Sequence, residues 1–180
     1  MTRIVLLGCA GAGKSTLAHR LGEATGAPVI CLDEIWRPEW TQADVPAFRG
    51  MLHEAHQGEA WVSDGNFAKA TFDLRLPRAD LVIWLDRPRL ICAWRAATRV
   101  FRPGEAHRLA DLPKVLRFIA GFDQINRPRI EAARAAHGPD VPVIRLRDDA
   151  EIAALLASIA EPPGASLAWD RRGSGGPLHH

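Results

Sequence analysis

Cysteine, lysine and long apolar runs are scarce in this 180-residue chain, and each scarcity closes off a class of explanation. The 3 cysteines, Cys9, Cys31 and Cys92, are odd in number, scattered and without metal-ligand spacing, which argues against both a disulfide framework and a structural zinc site. No run approaches eighteen consecutive apolar residues, and no signal-peptide pattern precedes the first apolar segment. Both point to a cytoplasmic protein with no membrane partner. A formal net charge of +2 is too small to argue for nucleic acid, and there is neither a helix-turn-helix signature nor an aromatic-basic ribbon.

Lysine supplies only 3 of the 23 basic residues, so the one in Gly8-Cys-Ala-Gly-Ala-Gly-Lys-Ser-Thr16 stands out. The spacing Gly8, four residues, Gly13, Lys14, Ser15 fits a loop whose backbone N–H groups cradle phosphate oxygens. In such a loop Lys14 reaches the β and γ phosphates and Ser15 holds Mg²⁺. Gly8, Gly11, Ala12, Gly13, Lys14, Ser15 and Thr16 are therefore the expected nucleotide-binding residues. A compact ammonium suits a narrow cradle better than the planar guanidinium this chain otherwise prefers. Cys9, inside the loop, reads as a small tolerated side chain.

Apolar runs predict strands at Arg3–Leu7, Val29–Leu32, Ala60–Ser63, Asp80–Leu85 and Val141–Leu146. Between them, helical patterns cover Lys14–Ala24, about Asp44–Gln57, about Pro88–Phe101, and Leu112–Ala136 with a kink at Pro128. A last helix covers about Asp149–Ala160. Strands alternating with helices call for an α/β fold with a mainly parallel sheet covered on both faces. Residues 1–160 are expected to form one domain. Residues 161–180 are too poor in apolar residues to pack and read as a disordered tail, with a Gly-Ser stretch and paired His that resemble an added tag.

In such a sheet, ligands gather beyond the carboxyl ends of the strands. Asp33, Asp64 and Asp86 follow the second, third and fourth predicted strands. Asp64 precedes Gly65, which lets the chain turn away while the carboxylate faces a metal, so Asp64 joins Ser15 as an expected Mg²⁺ ligand. Asp86, before Arg87-Pro88, reads as a helix cap. Asp33 has two open roles: to orient a hydroxyl and take its proton, or to cap a segment starting at Glu34. Trp36 and Trp40 either wall an acceptor or cover the core edge. Arg95, Arg99 and Arg102 share one helical stripe, beside an apolar stripe of Ile91, Trp94, Thr98 and Phe101 expected to pack down.

The phosphate loop, the Asp-Gly and the Arg pair four apart resemble the adenylate kinase-like branch of P-loop kinases. More closely, LDEIWRPEW, WVSDGNF, RLPRADLVIWLDRPR and WRAATR are similar to small bacterial proteins known as DNA topology modulation proteins. The resemblance implies a P-loop NTPase three-layer sandwich with a five-stranded parallel sheet, ATP with Mg²⁺, and a helical lid at about 100–130 that carries Arg108, Arg127 and Arg129. It places Arg95 near the adenine and Arg99 on the phosphates, so Lys14, Asp33, Arg95 and Arg99 are the expected catalytic set. Where adenylate kinases continue Asp-Gly with an aromatic, Pro and Arg, this chain has Asn66-Phe67-Ala68, which removes a monophosphate contact that Arg75 or Arg78 would have to replace.

The expectation is an ATP-dependent phosphotransferase, monomeric or homodimeric, acting on a small-molecule hydroxyl or phosphate acceptor. The alternative is a nucleotide-dependent regulatory or DNA-topology-associated NTPase without a dedicated acceptor.

Overall fold

A computed structural model describes residues 2–37, 39–101 and 109–160 of the chain. The proposed tail, Arg102 and Arg108 lie outside the described residues. Five strands form one parallel sheet: β1 (Arg3–Gly8), β2 (Val29–Cys31), β3 (Trp61–Asp64), β4 (Leu81–Leu85) and β5 (Val143–Leu146), in the order β2-β3-β1-β4-β5. All pairings are parallel, with Leu6 opposite Asp64 on one side and Ile83 on the other. Successive side chains of a strand point to opposite faces, and Ile4 through Gly8 are all buried. Both faces of the central strand are therefore covered, which is the three-layer α/β sandwich expected from the sequence.

The helices are α1 (Lys14–Thr25), α2 (Leu32–Ile35), α3 (Val45–Ala55), α4 (Ala68–Arg75), α5 (Arg89–Arg99), α6 (Leu112–Ala120), α7 (Arg127–His137) and α8 (Asp149–Ala160). α1 packs on α8, α4 on α7 and α3, and α5 on α6. No helix among the described residues is long and apolar enough to cross a membrane.

Three expectations need correction. The long helix expected over 112–136 is interrupted at Gly121 and a π-helical turn, Phe122–Asn126, not at Pro128. Pro128 lies in the first turn of α7, where a missing N–H costs nothing. The bulky stripe of α5 does not pack down: Trp94 is 70% exposed and Phe101 83%, while the buried residue of that helix is Cys92. α5 sits so close to the phosphate loop that only a small side chain fits between them. A β-carbon at Gly11, whose φ is +75°, would stand 2.2 Å from the Cys92 carbonyl oxygen.

Asp86 does not cap α5, whose amino end has no side-chain cap. Its carboxylate instead accepts from Arg127, Arg89 (3.1 Å) and Arg145 (3.4 Å), and these charges hold it below the usual carboxylate range, the Arg127 hydrogen bond foremost. Arg127 also bonds Asp123 and lies over the Trp84 ring at 5.6 Å. It is thus committed at the end of β4, while Arg129 is exposed.

Candidate active site

The carboxyl ends of β1, β3 and β4 meet beside a cleft of about 820 Å³, a size ordinary for a small-molecule site. Its lining includes Lys14, Ser15, Asp33, Asn66, Arg95 and Arg99. Gly11, Gly13 and Thr16 line it as well. Most of the residues singled out by sequence are therefore brought to one place. Gly8, Ala12 and Asp64 stand behind the lining. The Gly8 and Ala12 N–H groups are taken, by Asn66 Oδ1 at 3.1 Å and the Cys9 carbonyl at 3.2 Å, so both shape the loop from within.

The loop closes on itself. Lys14 Nζ donates to the carbonyls of Gly8 (3.2 Å) and Cys9 (3.1 Å), which aims the ammonium back across the loop mouth. α1 begins at Lys14, so its unpaired amino-terminal N–H groups face the same mouth and favour an anion there. Cys9 is buried, and its thiol pKa is pushed up, first by its hydrogen bond with Cys92 and then by burial.

Ser15 Oγ donates to Asp64 Oδ2 at 2.6 Å. Asp64 is only 5% exposed, and its Oδ1 is buried without a hydrogen-bond partner. A buried carboxylate oxygen left unsatisfied is costly, and it is what a hard cation with oxygen ligands would satisfy. The Ser15–Asp64 pair thus fits Mg²⁺. Gly65, with φ +137°, turns the chain immediately after the carboxylate. Replacing Asp64 with Asn keeps the shape and removes the charge. Asp64→Asn is expected to raise the Mg²⁺ concentration needed for half-maximal turnover by about 10–100-fold while metal-free nucleotide affinity stays near wild type. Turnover measured against Mg²⁺, alongside calorimetry without metal, checks this.

Asp33 lies inside α2, which starts at Leu32 and carries no side-chain cap, so Asp33 does not cap that helix, and it lines the cleft. Trp36 and Trp40 meet edge to face at 5.7 Å and pack with buried Phe48, at 5.2 and 6.4 Å. They cover the core edge. Across the mouth, Arg95 Nη2 donates to Asp149 Oδ2 at 3.1 Å, and Asp149 also accepts from buried Arg87. A β-carbon at Gly13 would lie 3.4 Å from Arg95 Nη1, which puts the guanidinium against the loop. α6 borders the cleft through Leu112, Val115 and Phe118.

Two residues named in the sequence reading have roles that it did not foresee. Asn66 brackets Gly8: its Nδ2 donates to the Gly8 carbonyl at 2.8 Å while its Oδ1 takes the Gly8 N–H. Arg75, placed by sequence at a monophosphate or on the surface, is fully buried. It donates to Thr71 Oγ1 (3.0 Å), Ser63 Oγ (3.0 Å) and the carbonyls of Gly65 (3.0 Å) and Asn66 (2.9 Å). Arg78 donates to the Gln57 carbonyl. Arg75 is therefore spent inside the protein and does not replace the missing monophosphate contact.

Behind Ser63 lies buried His56. Its Nδ1 donates to the Leu52 carbonyl at 2.7 Å and its Nε2 accepts from the Ser63 hydroxyl at 2.9 Å, the tautomer that satisfies the network. Burial lowers its pKa to about 4, and the charges of Arg75 and Arg78 add to the shift. Unfolded histidine titrates near ~6.5, so the folded state binds the proton less well than the unfolded state. Its contribution is intact above that pH and is lost as pH falls toward the folded value, by about 3 kcal/mol in all. Urea unfolding of wild type and His56→Gln from pH 7.5 to 4 should show the steeper loss in wild type. Parallel curves would contradict the assignment.

No protein-family model matches the chain, and no curated protein sequence matches it. Solved structures do. Shikimate kinase from Acinetobacter baumannii, solved with shikimate, superposes with a TM-score of 0.58 at 20% identity, covering 88% of this chain and 90% of that one. Shikimate kinase from Bacteroides thetaiotaomicron gives 0.53 at 21% identity, over 88% and 95%. A gluconokinase from Sinorhizobium meliloti gives 0.51 at 20% identity, over 88% and 93%. The superpositions show that the chain shares the α/β fold of these kinases.

Proposed function

We propose that this protein is an ATP- and Mg²⁺-dependent phosphotransferase of the cytoplasm whose acceptor is a small molecule bearing a hydroxyl group. The observation that carries the reading is the placement of Asp33 and the Arg95/Arg99 stripe around the same cleft as Lys14 and Ser15. A pure phosphate binder has no use for a carboxylate at the acceptor wall. That the structural neighbours are kinases of small molecules supports the reading.

In this account the loop N–H groups and Lys14 bind the phosphates and draw charge toward the β–γ bridge. Ser15 and Asp64 would hold Mg²⁺, which would supply neutralisation of phosphate charge. Asp33 orients the acceptor hydroxyl and takes its proton as the oxygen bonds to the γ-phosphorus and the bond to the β–γ bridging oxygen breaks, releasing ADP. Arg99 meets charge on the group in transit, and Arg95, steadied by Asp149, packs against the base. The commitment of Arg75 and Arg78 elsewhere favours a hydroxyl over a monophosphate acceptor. The unit carrying this activity is residues 1–160.

The test is ADP formation with Mg²⁺ across nucleosides, nucleotides, sugars and hydroxy acids. Stimulation by one hydroxyl class is expected. A rate that no acceptor changes would favour the second reading, a regulatory NTPase related to the topology modulation proteins.

A further inference from the structure

Arg75 has no exposed surface, less than the other buried arginine among the described residues, Arg87, and nothing in the transfer step uses it. Its guanidinium is wholly buried, yet each of its four hydrogen-bond acceptors is neutral. Removing such a charge from water is costly even after relaxation, and apolar replacements of buried ionic groups are often neutral or stabilising. Burial pulls its pKa down to about 9, with Asp64 opposing the shift, so the group stays charged at neutral pH. Filling the space beneath α4 would need only an apolar side chain such as the neighbouring Phe72.

What Arg75 grips is specific. Three of its four hydrogen bonds fall on residues 63, 65 and 66, on both sides of Asp64 along the chain, and the fourth on Thr71 of its own helix. Phe67, the next residue, has φ +29°, the one positive value outside glycine among the described residues. Strain of this kind is costly and persists only where surrounding contacts over-determine it. The same turn carries both devices that face the phosphate loop: the Asp64 carboxylate on Ser15, and the Asn66 amide bracketing Gly8.

We propose that Arg75 is a positioning residue that locks the 63–67 turn, so that the carboxylate facing Ser15 and the amide clamp on Gly8 are set together and ahead of ligand binding. The proposal rests on the proposed function only where it concerns the metal. The clamp on Gly8 is a property of the chain by itself.

The variants are Arg75→Met, which keeps length and removes charge, and Arg75→Lys, which keeps charge and loses the fork that reaches two carbonyls at once. The first readout is amide hydrogen exchange over residues 4–12, in protein without nucleotide. The second is the Mg²⁺ dependence of ATP binding by calorimetry, with thermal unfolding alongside. Arg75→Met is expected to speed exchange at Gly8 by at least about 10-fold and to raise the half-saturating Mg²⁺ by about 10-fold, as loss of an outer-shell support does. Metal-free ATP affinity should hold. Arg75→Lys should fall between. Wild-type exchange and wild-type Mg²⁺ dependence in Arg75→Met, whatever its melting temperature, would overturn the proposal and leave Arg75 as core filling. Should Arg75→Met not fold, the same two readouts on Arg75→Lys decide. If wild type shows no Mg²⁺-dependent ATP binding, the phosphotransferase reading fails, and exchange at Gly8 still decides the role of Arg75.

Discussion

Replacing Arg99 with alanine should lower kcat by about 10³-fold while ATP affinity falls much less, as expected of an arginine that meets charge present only during phosphoryl transfer. Arg99 lies one helical turn beyond Arg95 on α5 and lines the cleft with it. Arg99→Lys should recover little of the loss, because an ammonium cannot reproduce the forked geometry. Arg95→Ala serves as the contrast. Its guanidinium lies against the loop at Gly13 and is held by Asp149, so its removal should weaken nucleotide binding and leave kcat near wild type at saturation. Steady-state kinetics on the three variants separate the roles. Wild-type kinetics in all of them would make the stripe a solvated face.

Lys14→Ala should lower kcat/KM by about 10²–10³-fold or more and also weaken ATP binding, since a charge on the β and γ phosphates acts in the ground state and in transfer alike. Thermal stability should change little. Each of the two carbonyls that Lys14 Nζ bridges keeps another donor once the ammonium is gone, the Asn66 amide on Gly8 and the Ala12 N–H on Cys9. Calorimetry and unfolding on the same preparation check both halves. Equal ATP affinity in wild type and variant would remove Lys14 from the site.

These outcomes depend on side chains the sequence announces with unequal clarity. The strands were legible because Ile4–Leu7 and Val82–Leu85 are runs of buried apolar residues, and the phosphate loop because its spacing is bound to its chemistry. α8 was legible to the residue. α4 was not: its inward face is Thr71, Phe72 and Arg75, and an apolar pattern cannot be seen where the third buried position is a guanidinium. Asp86 looked like a cap because its sequence neighbours suit one, while its partners Arg127 and Arg145 arrive from α7 and β5. The stripe on α5 misled for a steric reason. Gly11 admits the Cys92 carbonyl so closely that the bulky row must turn outward. Asn66 stood in plain view as a departure from the adenylate kinase pattern, but only the fold shows that its amide reaches Gly8, 58 positions earlier.

The most direct test of the central claim follows the γ-phosphorus itself. Phosphorus NMR of wild-type protein with ATP, Mg²⁺ and the acceptor that most stimulates ADP release should show a new phosphomonoester resonance growing in step with ADP, with inorganic phosphate a minor product. Inorganic phosphate alone, formed at the same rate with every acceptor, would contradict the account.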